Sequence, residues 1–202
     1  MRIKRTFRRI FGIGISRTGT TSLAVAMLAL GVRTAHYAFE ASIFDRAEAV
    51  FDSPVFVDYA RLDRAFPGSK FIYTDRDPRR WLESFKSKVL DGPLRHRDLA
   101  AHPTNPHDEF TRRVYRELFG RVVDLHDRCL LDSYDRHREQ VQRYFAGRDE
   151  DWLVLNLAKD DPDEAWRRLC DFVGLWMPGR LPHFANPSAQ LWENIIHPCK
   201  VS

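Results

Sequence analysis

Residues 11–30 read FGIGISRTGTTSLAVAMLAL, and this order decides how the rest of the chain is read. Residues 8–15 (RRIFGIGI) are apolar and β-rich, the composition of a buried strand. A polar turn follows, Ser16-Arg17-Thr18-Gly19-Thr20-Thr21-Ser22, then an apolar helical run closed by Gly31. Strand, Gly/Thr-rich turn and helix together surround an anion with backbone N–H groups and the positive end of a helix dipole. Hydroxyls at 20, 21 and 22 add donors, and Arg17 adds a fixed charge with forked donor geometry. Threonines acting as ordinary helix caps explain the same residues. Taken alone, the turn carries both readings.

The stretch is nearly a Walker A loop. Gly14 and Gly19 have the G-x-x-x-x-G spacing, but Thr20 stands where the lysine for the β/γ-phosphates belongs. A nucleoside triphosphatase would lose its main γ-phosphate contact, and the positive charge sits instead at Arg17. A nucleotide kinase or phosphatase is further disfavoured because no Walker-B aspartate is evident after an apolar strand. A third reading is a non-catalytic nucleotide-binding interaction protein, with the charged region 108–146 as its docking surface.

Further along, Val32–Tyr37 reads as a second strand carrying His36 at its end, and residues 39–51 have helical spacing. Val55-Phe56-Val57 reads as a short strand broken off by Asp58, and Lys70–Thr74 (KFIYT) as a core strand. A helix over 79–88 follows Pro78, the usual N-terminal place for proline. Residues 86–115, rich in proline and polar groups, read as a lid or acceptor-binding excursion. Two charged helices are expected over 108–146, a strand at Trp152–Leu157 and an amphipathic helix at Asp163–Val173. Strands alternating with helices predict an α/β chain, a three-layer α/β/α sandwich with a mainly parallel sheet. Residues 1–202 are read as a single domain.

The 202 residues are 44% hydrophobic and 30% charged, as in a globular protein with a full core. The net charge of +4 suits an anionic ligand but is far short of a nucleic-acid-binding signature. Cys129, Cys170 and Cys199 are odd in number and lack C-x-x-C spacing, which argues against a disulfide framework or metal site and for a cytoplasmic setting. Arg8-Arg9 before an apolar run resembles a twin-arginine export signal, but Arg17 and the TGTTS cluster interrupt that run. No run is long enough to span a membrane, and no aromatic-interleaved basic patch, zinc or helix-turn-helix motif is found, so neither membrane nor nucleic acid is expected as a partner. A homodimer is left open.

A second motif, Lys70–Ser84 (KFIYTDRDPRRWLES), delivers Arg76 at the C-terminal end of a buried strand, where open α/β sheets bind ligands. Arg76 and Ser84 suit one phosphate together. Arg76 paired with Asp75 or Asp77, and Ser84 facing solvent, is the structural alternative.

With both motifs in hand, the chain resembles the sulfotransferase superfamily: R-T-G-T-T-S for the 5′-phosphosulfate and R-D-P-x-x-W-x-x-S for the 3′-phosphate of 3′-phosphoadenosine 5′-phosphosulfate (PAPS). The compact bacterial-type branch is the nearest in pattern. There a G-x-x-x-x-H segment follows the first helix (Gly31 to His36), and a Trp–Leu–Cys helix (Trp166, Leu169, Cys170) precedes a proline-rich tail (Leu181 to Asn186). The resemblance implies a P-loop NTPase-like fold, PAPS as donor, adenosine 3′,5′-bisphosphate (PAP) as product and a small-molecule or glycan acceptor. It assigns Arg17, Thr18, Gly19, Thr20, Thr21, Ser22, Arg76 and Ser84 to the nucleotide. The chain departs from the family in having Arg17 where many members carry lysine, and in lacking a K-T-H run and a recognisable R-K-G loop. Arg17 would act on the charge that grows on the leaving phosphate, and because that leaving group is already a stable anion no metal is expected. Asp58, at the end of VFVD, is preferred as general base over His36; a helix cap and a core histidine are the respective alternatives.

Overall fold

The computed structural model describes residues 9–90, 106–120, 125–176 and 192–202. They group into two compact units, one of residues 1–75 with 147–202 and one of 76–146.

The first unit is built on a parallel five-stranded sheet: β1 (Ile10–Gly12), β2 (Thr34–Ala35), β3 (Ala49–Phe51), β4 (Lys70–Thr74) and β5 (Trp152–Leu155), in the order β2-β3-β1-β4-β5. Ile10 aligns with Ala49 on one side and Lys70 on the other. The strands are apolar on both faces because helices cover both. Ile10, Ala49, Phe51, Ile72 and Leu155 pack on α1 (Thr20–Ala29) and α7 (Pro162–Val173), with Trp166 and Met27 at the centre. The alternate residues Phe11 and Phe71 face the other way. Phe11 meets Phe44 of α2 (Ala41–Arg46) and Phe66 at the end of α3 (Val55–Ala65), with centroids 6.3 and 5.7 Å away. The expected α/β/α sandwich with a P-loop-like parallel sheet is therefore present. Its outer β2 edge is closed by the C-terminal residues: Thr34 N–H donates to Cys199 C=O and Val201 N–H to Thr34 C=O, both at 2.8 Å.

The second unit, taken by itself, contains α4 (Pro78–Phe85), a π-helical turn (Lys86–Leu90), α5 (Pro106–Phe119) and α6 (Asp127–Tyr144). Asp77 caps α4 by accepting from Arg80 N–H at 2.9 Å, with Pro78 in the first turn. Trp81 and Phe85 stack at 5.1 Å, and Trp81 lies 4.7 Å from Tyr134 of α6. The two charged helices expected over 108–146 are present. Of the expected excursion, 91–105 lies outside the described residues, as does the tail from 177 to 191.

Three local readings change. Residues 39–51 are not one helix: α2 ends at Arg46, Ala47 turns extended (φ −88°, ψ 143°), and Ala49–Phe51 is β3. Val55–Val57 is not a strand but the first turn of α3, because Pro54 at the cap starts a helix and overrides three β-prone residues. Strands 8–15 and 32–37 shrink to Ile10–Gly12 and Thr34–Ala35.

Candidate functional site

Because β3 and β4 flank β1, the chain leaves β1 at the point where strand order reverses, and open α/β sheets place ligands outside that carboxyl edge. The same edge carries His36 directly after β2 and Asp52 directly after β3.

The loop from Ile13 to Gly19 is packed down hard. A methyl group on Gly14 would meet Thr74 Oγ1 at 2.0 Å and Thr74 C=O at 2.6 Å, so the close approach to β4 admits only glycine. Thr18 Oγ1 donates to Ile15 C=O at 2.7 Å, closing the turn, and lies 2.6 Å from Thr74 Oγ1. Thr18 has one hydroxyl proton, so Thr74 donates in that pair. Gly19, at φ 109°, is the N-cap of α1 and provides no side-chain cap, and no acidic residue stands in the helix's first turn. That end of α1 is therefore arranged for an anion to satisfy its N–H groups. Arg17 is half-buried beside it, in the left-handed region at φ 75°.

Asp52 was not singled out from the sequence. It is 4% exposed, lies in the left-handed region (φ 64°), and organises the loop from below. Its Oδ1 accepts from Ser16 Oγ at 2.9 Å and from Ser53 N–H at 2.8 Å, and its Oδ2 from Thr20 Oγ1 at 2.9 Å. The aspartate judged absent after an apolar strand is thus there, one residue past β3. The Ala-Val-Phe triplet ahead of Asp52-Ser53-Pro54 was its signal, an apolar run stopped by turn residues. Two strained non-glycine residues, Arg17 and Asp52, flank one loop, and such strain is held where surroundings over-determine it.

His36 is 2% exposed and stands over the same cluster. Its Nε2 is 3.0 Å from Thr21 Oγ1, 3.3 Å from Thr20 Oγ1 and 3.9 Å from Asp52 Oδ2. Its Nδ1 is buried with no hydrogen-bond partner among the described residues. A buried N–H without an acceptor costs more than a buried lone pair, so we assign the proton to Nε2. Thr20 already donates to Asp52, so both threonine oxygens accept from Nε2–H. Thr21, half-buried, then keeps its own hydroxyl proton for something else. Burial holds the His36 pKa below its ordinary value; Asp52 and Glu193 oppose that shift and Arg17 reinforces it. Trp192 (centroid 5.5 Å away) and Tyr37 (4.6 Å) wall the ring in.

Asp58 ends no strand. It lies in the first turn of α3, its side chain 13% exposed and paired with Arg61 Nη1 at 3.0 Å. It keeps one of its expected attributes, since α3 begins at the carboxyl edge just past β3. Ser22 is half-buried on the first turn of α1, beside Thr20 and Thr21.

Within the second unit, Arg76 precedes α4 and is half-buried, and Ser84 is half-buried on α4. Asp77 spends a carboxylate oxygen on the cap of α4. Tyr134 holds the Arg76 main chain from both sides: its hydroxyl accepts from Arg76 N–H at 2.9 Å and donates to Arg76 C=O at 2.8 Å. Among the described residues no group of three His, Cys, Asp or Glu forms a metal cluster, and no helix is long and apolar enough to cross a membrane. Cys129, Cys170 and Cys199 form no disulfide.

A protein-family model described as a sulfotransferase domain matches residues 38–190, most of the chain. The chain belongs to that family. The match begins after the Gly14–Ser22 loop and His36, so both stand on the sequence and geometry alone; Asp52, Asp58, Arg76 and Ser84 fall inside it. This sulfotransferase-domain chain is also 22% identical, over 241 aligned positions, to the "Ava biosynthesis cluster protein M" of Aspergillus versicolor. That alignment covers 93% of this chain and 88% of that protein.

Proposed function

We propose that the protein is a PAPS-dependent sulfotransferase acting on a hydroxyl or amine acceptor. The observation that carries this reading is the β1–α1 loop: an uncapped helix N-terminus, Arg17 and a ring of hydroxyls at the carboxyl edge of the sheet, in a chain of the sulfotransferase-domain family. The donor supplies an activated sulfuryl group, whose bond to the 5′-phosphate oxygen breaks as a bond to the acceptor forms, leaving PAP.

The protein's own groups divide the rest of the work. Arg17, the first-turn N–H groups of α1 and the hydroxyls of Thr21 and Ser22 receive the 5′ end, while Thr18, its proton given to Ile15 C=O, keeps the turn closed around it. They stabilise charge that grows on the leaving phosphate, the kind of preorganised donor set that carries most electrostatic catalysis. Thr20 and Ser16 serve Asp52 and so hold the loop's shape. His36 donates to Thr21 and thereby aims the Thr21 proton outward. Arg76 and Ser84 receive the 3′-phosphate. Asp58 takes the acceptor proton; with Nε2 already protonated, His36 is the second choice. A cytoplasmic setting fits three cysteines that form no disulfide, and the acceptor is a small molecule or glycan.

Asp52 revives one competitor. A carboxylate beside the loop strand is what the nucleotide-kinase reading lacked, although both its oxygens are committed to Ser16, Thr20 and Ser53 and the Walker lysine is still Thr20. Calorimetric titration with PAP, 5′-AMP and ATP separates the readings, followed by PAPS turnover on a panel of phenols, alcohols and amines. PAP is expected to bind far more tightly than 5′-AMP. Equal affinity for the two would end the sulfotransferase reading, and tight ATP binding with hydrolysis would establish the kinase one.

A further inference from the structure

Tyr134 lies outside both motifs, yet it holds the Arg76 main chain from two sides. It is fully buried on α6, its ring packed at a 42° tilt against Trp81. Its hydroxyl makes two bonds to one residue, accepting from Arg76 N–H and donating to Arg76 C=O. A phenol has one proton and two lone pairs, so both bonds are held at once. Arg76 follows the last strand residue Thr74 by only one intervening residue and precedes the cap Asp77, so no regular secondary structure sets its backbone. The two bonds take over that task. They also give the tryptophan of R-D-P-x-x-W-x-x-S a job: Trp81 is fully buried and seats the tyrosine ring.

We propose that Tyr134 is a positioning residue for the 3′-phosphate: by clamping the Arg76 main chain it sets the origin from which the guanidinium reaches, and so sets the preference for nucleotides carrying a 3′-phosphate. The proposal rests on the reading of Arg76 as the 3′-phosphate ligand. A tyrosine that served only to satisfy a buried main chain would influence every nucleotide alike; one that positions Arg76 influences only those with the 3′ group.

The test is calorimetry of the full chain with PAP and with 5′-AMP. Tyr134→Phe keeps the ring and removes both bonds. The ratio of PAP to 5′-AMP affinity is expected to fall about five- to tenfold, the worth of one to two net hydrogen bonds, with 5′-AMP affinity unchanged. In an Arg76→Ala background the same substitution is expected to leave the ratio unaltered, because the effect passes through Arg76. An unchanged ratio in the single variant, or an equal loss for both nucleotides, overturns the proposal. If the wild type itself shows no preference for PAP, the Arg76 reading fails first and the proposal with it, a result distinct from the other two. Should Tyr134→Phe not fold, 3,5-difluorotyrosine at 134 preserves the shape. The ratio should then fall as pH rises through the ionisation of the fluorinated hydroxyl, and a flat profile overturns the proposal.

Discussion

Asp52 and Asp58 occupy the same carboxyl edge and have opposite surroundings. Asp52 is buried, strained at φ 64°, and accepts through both oxygens from hydroxyl and N–H donors of the loop and of Ser53. Asp58 sits on the first turn of a helix and shares one oxygen with an exposed arginine. The Asp52 carboxylate shapes its neighbours. Asp58 is instead the group proposed to take the acceptor proton. On that proposal the two aspartates divide architecture from chemistry on one short stretch of chain, and each can be tested against the other.

The largest effect is expected at Asp52. Asp52→Asn turns one acceptor into a donor that faces hydroxyl or N–H donors, leaving buried groups unpaired at about 2–3 kcal/mol. That corresponds to a melting point lower by about 5–10 °C for a chain of this size. Nucleotide affinity and turnover should fall together, since the loop itself loosens. A variant that melts like the wild type would remove Asp52 from the architecture.

Asp58→Asn should do the reverse: melting point and PAP affinity stay, while turnover falls ~10²-fold or more. An active Asp58→Asn alongside a folded but inactive His36→Asn would move the base to His36 and break the contrast.

His36 gives a smaller, pH-dependent effect. Its folded pKa lies below the ordinary 6.5, so the unfolded chain binds the proton more readily as pH falls through that value. Stability from this group is complete above the unfolded value and is lost as pH drops toward the folded one. The charged groups around it are Asp52, Glu193 and Arg17. Melting curves between about pH 7 and pH 5 should drop more steeply for wild type than for His36→Asn, and parallel curves would contradict the assignment.

The smallest effect is expected from Arg61→Ala. Its pair with Asp58 is 66% exposed on the arginine side and should contribute no more than about 1 kcal/mol. Turnover should change only a few-fold, checked by the same acceptor assay. A large loss would mean that Arg61 and not Asp58 matters there.

The sequence made the phosphate-type loop legible because glycine spacing, hydroxyls and a charge coincide in one short run, and β4 legible because five residues of one strand stand between clear turns. It hid Asp52 because β3 is only three residues long, Ala49–Phe51, too short for a period of two to show, and abuts α2 with helical spacing across the junction. It misplaced Val55–Val57 because β-branched propensity was weighed above Pro54 as a helix opener. Tyr134 was illegible for another reason: its partner is a main chain 58 residues away, and no side-chain pattern records a bond to a peptide group.

The pairing of Thr34 with residues 199–201 has a practical consequence. A two-residue outer strand such as β2 would otherwise offer open N–H and C=O groups, the template on which another chain can add. The last residues occupy it, and Lys200 Nζ anchors them by donating to the carbonyls of Trp192, Glu193 and Ile195 at 2.9–3.1 Å. Removing residues 199–201 would bare this edge of the sheet and invite self-association.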